Sequence, residues 1–301
     1  MVNRLPPETD RPSPKGCPGQ RCCPPDELLP RRHGTSLTVR VAFLHVAATP
    51  GAQGPTGLAA QRNRPLLTTA TEVFTVRPYT PHCQVISTEG DHAVIGISPG
   101  NSYFSAQRVN DLAHWGLRNF EQVDLIYTDM HVAEMYEALG YGEDEARRKA
   151  VKNLRGVRAK VNNAAAEADP TGERLRARPM SSLTDIPAYR ALHSHLTTLL
   201  DTDPEFRRTS NKLVDAFLSS KVLNGKAATT RQRDVCLEYV CAEMPLFLDT
   251  PAILGVPSSL NCYHQLLPMA ELLYSRGSGL RASRNQGHAI ITPAEGAPDV
   301  H

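Results

Sequence analysis

From about residue 71 onward, apolar positions recur with the periods of strands and helices. Val73 to Arg77 and Gln84 to Ser87 are β-rich stretches. His92 to Ile97 is a short, nearly continuous apolar run, the pattern of a strand buried on both faces. It ends in Ser98-Pro99-Gly100-Asn101-Ser102, a turn sequence, and Ser102 is placed to cap a helix from about Tyr103 to Phe120. Val123 to Tyr127 reads as a second apolar strand. A helix follows from about Val132 to Leu139, then a longer one from about Glu143 to Ala166. Strand, turn, helix and strand in that order predict a right-handed βαβ unit in a parallel sheet. Helical patterns continue at about Ser182 to Asp201, Pro204 to Ser219 and Thr230 to Phe247. Val256 to His264 reads as a strand or extended loop, and Gly287 to Thr292 as a last strand. The predicted class is α/β: a single Rossmann-like domain with a parallel sheet and extra helices.

Composition separates residues 1–70 from this body. They hold 11 of the 24 Pro, a density that no helix or central strand sustains. The segment is expected to be a disordered leader in front of one domain at 71–301. Within it, Cys17, Cys22 and Cys23 lie near His33. Adjacent Cys22 and Cys23 lack the Cys-x2-Cys spacing of a zinc site and no second Cys pair follows, so no metal is expected. Cys83, Cys236, Cys241 and Cys262 sit in apolar surroundings and are expected to be reduced core residues. No apolar run approaches the roughly 18–20 residues that span a bilayer. No basic–apolar–small pattern opens the chain, so the expectation is a cytoplasmic protein without membrane contact.

Charge changes the picture more than its total suggests. The whole chain carries a formal net charge of +2, but residues 71–301 hold 24 basic and 27 acidic residues. Between Ala146 and Val161 there are seven basic residues and no acidic one: Arg147, Arg148, Lys149, Lys152, Arg155, Arg158 and Lys160. Ala146, Ala150, Leu154, Val157 and Val161 recur at helical spacing and form a packing stripe. Arg148, Lys152 and Arg155 project from the other side. Such a face in an otherwise acidic body suits a polyanion, most simply a nucleic-acid backbone. With few aromatics nearby, phosphate contact is expected rather than base reading.

Two further places carry candidate chemistry. Ser98 lies at the carboxyl end of a predicted strand, where open α/β sheets bind ligands, and just ahead of the predicted helix N-terminus. Gly96 and Gly100 flank it and let the backbone turn tightly. Gly96-x-Ser98-x-Gly100 also matches the α/β-hydrolase nucleophile pattern, and Asp249 with His264 or His288 would complete its order. A plain turn with a capping serine accounts for the same residues. On the helix from Thr230, Tyr239 and Glu243 stand four apart and share a face with Val235, Cys236 and Leu246. That puts a carboxylate on an apolar face, where it must be paired or used. There is no Gly-x-x-x-x-Gly-Lys-Ser/Thr loop and no Gly-x-Gly-x-x-Gly after a strand, so neither ATP nor NAD is indicated.

Three long segments carry a resemblance. They run from Gly90 to Phe104 (Gly-Asp-His-Ala-Val-Ile-Gly-Ile-Ser-Pro-Gly-Asn-Ser-Tyr-Phe), from Glu238 to Phe247 (Glu-Tyr-Val-Cys-Ala-Glu-Met-Pro-Leu-Phe) and from Val256 to His264 (Val-Pro-Ser-Ser-Leu-Asn-Cys-Tyr-His). In sequence and order they resemble the signatures of the cyclodipeptide synthases, over about Val73 to Thr292. Among these the chain is most similar to the actinobacterial cyclodityrosine synthases. The resemblance implies a fold like the catalytic domain of class I aminoacyl-tRNA synthetases. It implies two aminoacyl-tRNAs as substrates, tyrosyl-tRNA in the cyclodityrosine case, and no ATP or metal. Ser98 would take the first aminoacyl group as an ester, the second aminoacyl-tRNA would extend it to a dipeptidyl-enzyme, and cyclisation would release a 2,5-diketopiperazine. Tyr239 and Glu243 would hold the α-ammonium, Tyr263 would assist proton transfer, and Gly96 would let the acyl group approach. Asn101 and His264 would orient. Asn261 is the candidate for reading a tyrosine hydroxyl. Arg147, Arg148, Lys152, Arg155 and Arg158 would meet the tRNA. Tailoring enzymes acting on the product would be further partners, and no oligomeric state follows. A serine α/β-hydrolase and a non-catalytic tRNA-binding protein stand as the alternatives.

Overall fold

The apolar run His92–Ile97 is strand β2, at the middle of the sheet. The computed structural model describes residues 73–221, 228–274 and 279–294, so the expected leader and the Cys17, Cys22, Cys23 and His33 set lie outside the described residues. Six strands form one sheet: β1 (Phe74–Pro78), β2, β3 (Gln122–Tyr127), β4 (Leu175–Pro179), β5 (Ser259–Tyr263) and β6 (Gln286–Pro293), in the order β1-β6-β5-β2-β3-β4. All pairings are parallel except β1 with β6, so the expected parallel sheet carries an antiparallel edge. The chain builds outward from β2 through β3 to β4, then returns to the other side of β2 with β5. Strand order therefore reverses between β2 and β5, and the carboxyl ends of those two strands flank the crevice where doubly wound sheets bind ligands.

Eight described helices surround the sheet: α1 (Pro81–Glu89), α2 (Ala106–Asn119), α3 (Val132–Ala138), α4 (Glu143–Ala168), α5 (Pro187–Thr202), α6 (Pro204–Lys221), α7 (Thr230–Leu254) and α8 (Pro268–Tyr274). Strand alternation assigns the two sheet faces. Ile95 and Ile97 pack with Cys83 and Ile86 of α1, Val109 and Leu112 of α2, and Val157 and Val161 of α4. Val94 and Ile126 pack on the opposite side with Tyr189 of α5 and Ala242 and Leu246 of α7. A third core joins α3, the start of α4, α6, α7 and α8. Cys83, Cys236, Cys241 and Cys262 are buried and unbridged, as expected.

Several local expectations are corrected. Gln84 to Ser87 is helical, inside α1: the Thr80 side chain caps the Cys83 amide at 3.1 Å and Pro81 opens the helix. The helix expected from Tyr103 starts at Ala106, because Ser105 rather than Ser102 caps it through the Arg108 amide. Met180–Leu183 is a single 3-10 turn, and α5 starts only at Pro187. Helix α7 continues past Phe247 to Leu254 with a kink at Asp249, where Pro251 interrupts the ladder. Strand β4 and helix α8 were not anticipated.

A buried polar chain crosses the four central and outer strands. His92 Nδ1 bonds Ser259 Oγ at 2.8 Å, its Nε2 bonds Asp124 Oδ2 at 3.0 Å, and Arg178 Nε donates to Asp124 Oδ1 at 2.5 Å. This ties β5, β2, β3 and β4 together by side chains as well as by the ladder, leaving neither the buried His nor the buried Asp unpaired.

His288 on β6 is fully buried among Tyr79, Phe247 and Tyr274, and burial lowers its pKa from 6.5 to about 4. The folded protein therefore holds it neutral where the unfolded chain would protonate it. Stability should fall as pH drops from about 6.5 towards 4, by up to about 3 kcal/mol from this group. Melting temperature against pH should be flatter for His288→Phe over that range. An unchanged slope would assign the acid sensitivity to other groups.

Candidate active site

Ser98 is the first residue after β2, and Tyr263 is the last residue of β5. Their parallel strands bring the two side chains together across the reversal of strand order. Ser98 Oγ and Tyr263 Oη share a hydrogen bond of 3.0 Å, and each residue is only 7% exposed. The turn behind Ser98 is held by its own backbone: the Asn101 amide donates to the Ser98 carbonyl at 3.3 Å, and the Phe104 amide donates to the Asn101 carbonyl at 3.2 Å. Gly100 takes the left-handed conformation this turn needs, at φ 73°. Asn101 Oδ1 accepts from the Tyr103 amide at 3.0 Å. The placement of Ser98 at a helix N-terminus is corrected, since α2 begins only at Ala106. The hydrolase constellation is also absent in this form. Ser98 pairs with a phenol, while Asp249 accepts from Ser283 Oγ and the Ala252 amide.

Tyr263 is a phenol held in its neutral form. Burial raises its pKa strongly and the nearby Glu243 charge adds to this, with Ser98 and Asn101 opposing. At neutral pH it can donate one proton and accept another, but it is no free phenolate. Gly96 keeps the wall beside it flat. A methyl added there would lie 3.6 Å and 3.9 Å from the Tyr263 ring, occupying space above the ring.

Across the pocket, helical spacing sets Tyr239 and Glu243 one turn apart on α7. Tyr239 Oη donates to Glu243 Oε1, and Thr128 Oγ1 donates to the same oxygen at 2.7 Å. Tyr239 Oη also reaches Thr128 Oγ1 at 3.3 Å. Tyr189 fixes this stretch of α7 by donating to the Ala242 carbonyl at 2.8 Å. Burial raises the Glu243 pKa, and the Tyr239 and Thr128 bonds, which favour the carboxylate, pull it back. The Tyr239 pKa is raised well above its ordinary value, first by burial and then by Glu243. Glu243 is thus a buried carboxyl pulled two ways, with burial favouring the protonated form and two hydroxyl donors favouring the carboxylate.

Ser98, Thr128, Glu243 and Tyr263 line one pocket with Val94, Gly96, Ile126, Met180, Leu246, Phe247, Asn261 and Leu267, about 490 Å³ in volume and partly open to solvent. Ser98, Glu243, Asn261 and Tyr263 face it together. Asn261 is 3% exposed, and its amide stands in a largely apolar wall. Asn101 and Tyr239 sit behind that wall. His264 also lies behind it: its ring stacks on Tyr103 at 4.1 Å and tilts against Tyr263 at 4.4 Å. Thr128 was not anticipated. The rule that placed Ser98 after β2 also places Thr128 directly after β3, and that signal would have found it. Met180, the first residue after β4, escaped notice because that strand did.

On α4 the expected stripe is inside, with Ala146, Ala150, Val157 and Val161 buried. Arg147, Arg148, Lys152, Arg155 and Arg158 are exposed. Arg147 pairs with Glu143 at 2.9 Å on the open surface, a weak restraint. Arg148, Lys152, Arg155 and Arg158 have no ion pair among the described residues. Lys160 differs: its Nζ turns inward and donates to the Phe104 carbonyl at 2.7 Å.

Comparison with known proteins gives a consistent result. The family model for cyclodipeptide synthase matches residues 74–293. A cyclo(L-tyrosyl-L-tyrosyl) synthase of Mycobacterium tuberculosis is 64% identical over 230 residues, covering 76% of this chain and 79% of that protein. A cyclo(L-leucyl-L-phenylalanyl) synthase of Streptomyces noursei is 34% identical over 212 residues, covering 70% of this chain and 89% of that protein. Among solved structures, a Mycobacterium tuberculosis cyclodipeptide synthetase described as related to type I tRNA synthetases superposes with a TM-score of 0.70. It is 64% identical, with coverage of 75% of this chain and 96% of that one. The α/β sheet seen here is that fold. The chain belongs to the cyclodipeptide synthase family.

One consequence of the Glu243 environment is directly measurable. Thr128→Val removes a donor that favours the carboxylate, so the Glu243 pKa should rise further. The acid limb of the rate–pH profile for cyclodipeptide formation should move to higher pH, with the alkaline limb fixed. A profile displaced at neither limb would dissociate Glu243 from the titration.

Proposed function

We propose that this cyclodipeptide synthase consumes two aminoacyl-tRNAs, both carrying tyrosine, and releases cyclo(L-Tyr-L-Tyr). The reading is carried by the convergence of Ser98, Tyr263 and Glu243 on one pocket. The mycobacterial relative, a cyclo(L-tyrosyl-L-tyrosyl) synthase, supports the choice of amino acid.

In the first step Ser98 Oγ attacks the ester carbonyl of one aminoacyl-tRNA. The bond from that carbonyl to the ribose oxygen breaks, and the hydroxyl proton passes through Tyr263 to the departing ribose. An aminoacyl ester is far more reactive than an amide, so a serine paired with a phenol suffices where a peptidase needs a histidine base. Glu243, with Tyr239, holds the α-ammonium of the enzyme-bound aminoacyl group. Glu243 then takes a proton from it, and the freed amine attacks the ester carbonyl of the second aminoacyl-tRNA. The second ribose leaves as its hydroxyl with the proton that the amine loses on becoming an amide, and Ser98 carries a dipeptidyl ester. Finally the new terminal amine attacks the Ser98 ester carbonyl, the bond to Oγ breaks, and Oγ regains a proton through Tyr263. Two ester bonds become two amide bonds, so the scheme draws on no ATP and no metal. The free cations of α4, Arg148, Lys152, Arg155 and Arg158, with Arg147 beside them, meet the tRNA backbone. Dependence on charged tRNA places the reaction in the cytoplasm, and the diketopiperazine is a substrate for tailoring enzymes. No helix among the described residues is long and apolar enough to cross a membrane.

Asn261 supplies the selectivity for tyrosine. An amide that bonds the phenolic hydroxyl would be left unpaired by phenylalanine, which discriminates more strongly than shape does.

Expression in a bacterium followed by mass analysis of the medium should show cyclo(Tyr-Tyr), and Ser98→Ala should abolish it. Soluble protein that yields no diketopiperazine would sink the reading, as would full activity of Ser98→Ala. Asn261→Leu should reduce the preference for tyrosyl over phenylalanyl substrate by about 10²- to 10⁴-fold in kcat/KM. Retention of the full preference would remove Asn261 from that role.

A further inference from the structure

Lys160 stands apart from the other cations of α4. It follows the inward-facing stripe rather than the open face: Val157 and Val161 beside it are buried, and Lys160 is itself partly covered. Burial lowers its pKa, yet no carboxylate pairs with it among the described residues. It donates instead to a backbone carbonyl, that of Phe104, at 2.7 Å.

That carbonyl belongs to the loop between β2 and α2. Three consecutive hydrogen bonds run along it: Lys160 Nζ to the Phe104 carbonyl, the Phe104 amide to the Asn101 carbonyl, and the Asn101 amide to the Ser98 carbonyl. The Phe104 ring closes the path from the other side, 6.2 Å from Tyr263 and 5.3 Å from His264 between ring centroids. The ammonium thus grips the loop that seats the nucleophile and the aromatic cluster behind its phenol partner. It does so from the helix whose outer face carries the free cations.

We propose that Lys160 is a positioning residue: it holds the Ser98 loop against α4, so that the helix which receives tRNA also sets the nucleophile's place. The inference rests on the acyl-Ser98 reading above. Its physical basis is that small displacements of a reacting group cost large factors in rate, while phosphate binding on the exposed face needs only the outer cations.

The test uses the full chain with charged tRNA. Lys160→Met should lower kcat, and the single-turnover rate of aminoacyl-Ser98 formation, by about 10- to 100-fold. KM, tRNA affinity and its dependence on log salt should stay within about threefold of the parent. Lys160→Arg, which keeps a donor, should restore most of the rate. Arg155→Ala should do the opposite, raising KM and reducing the salt slope by about 1. The fraction of Ser98 that acylates in the burst guards against misfolding, because a merely destabilised variant loses amplitude rather than rate per site. The proposal fails if Lys160→Met raises KM and flattens the salt slope, if its loss lies only in burst amplitude, or if kcat is unchanged. If the parent enzyme itself forms no aminoacyl-Ser98, it is the preceding reading that fails.

Discussion

The parallel pairing of β2 with β5 is the interaction on which the site depends. Its register sets Ala93 against Leu260, Val94 against Asn261 and Ile95 against Cys262. Because side chains alternate along a strand, a slip of one residue would turn Asn261 away from the pocket and carry Tyr263 from Ser98 to the other sheet face. The fold locks this register twice. The His92–Ser259 bond joins the same two strands by side chains, and Asp124 with Arg178 extends the tie outward. On the α1 face, a methyl at Gly287 would come within 2.9 Å of Leu260, so β5 and β6 are also fitted closely by shape. The contact between Ser98 and Tyr263 is therefore a property of the sheet, with only the last turn supplied by the loop.

What was legible in the sequence follows from this. Buried strands must be apolar, and His92–Ile97 and Gln122–Tyr127 declare themselves for that reason. Tyr239 and Glu243 declared themselves because a carboxylate on an apolar helical face conflicts with its surroundings. Strand β4 was not legible. It lies at the sheet edge, reads Leu-Arg-Ala-Arg-Pro, and needs only Leu175 deeply buried. The start of α2 was misplaced because Ser102 and Ser105 are both sound caps. The choice between them is tertiary: Tyr103 and Phe104 pack against His264 and Tyr263 instead of entering the helix. Gln84 to Ser87 has β-rich composition, but Thr80 and Pro81 make a helix start that overrides it. Lys160 looks like its basic neighbours in sequence, and only the fold shows its ammonium turned to a carbonyl.

Charge is sorted by helix face. On α7, Glu243 lines the pocket with Tyr239 bonded behind it, while Asp234 and Glu238 lie on another side of the same helix, which borders a separate open groove. On α4, the buried stripe lies on one side of the cylinder and Arg148, Lys152 and Arg155 on the other. A net charge near zero conceals this arrangement, because acidic and basic residues cancel in number whether or not they meet in space. Arg148, Lys152, Arg155 and Arg158 of α4 lack acidic partners among the described residues, while Arg147 and Lys149 pair with Glu143 and Glu145, so four cations keep their field for an external anion.

Burial acts on the groups of the site in one consistent sense. It raises Glu243 and Tyr263 and lowers Lys160, in each case against the charged form. Among the described residues Glu243 has no cationic partner to serve as counter-charge, and its bonds from Thr128 and Tyr239 both come from neutral hydroxyl donors to one oxygen. On the proposed reading, the α-ammonium of the bound aminoacyl group supplies that counter-charge. Its arrival favours the carboxylate and draws the Glu243 pKa down, so the first substrate is held as an ion pair. Once the amine gives up its proton to attack, the positive charge is gone and burial again favours protonated Glu243. Binding and proton acceptance are then two states of one group, switched by the charge of the substrate it holds.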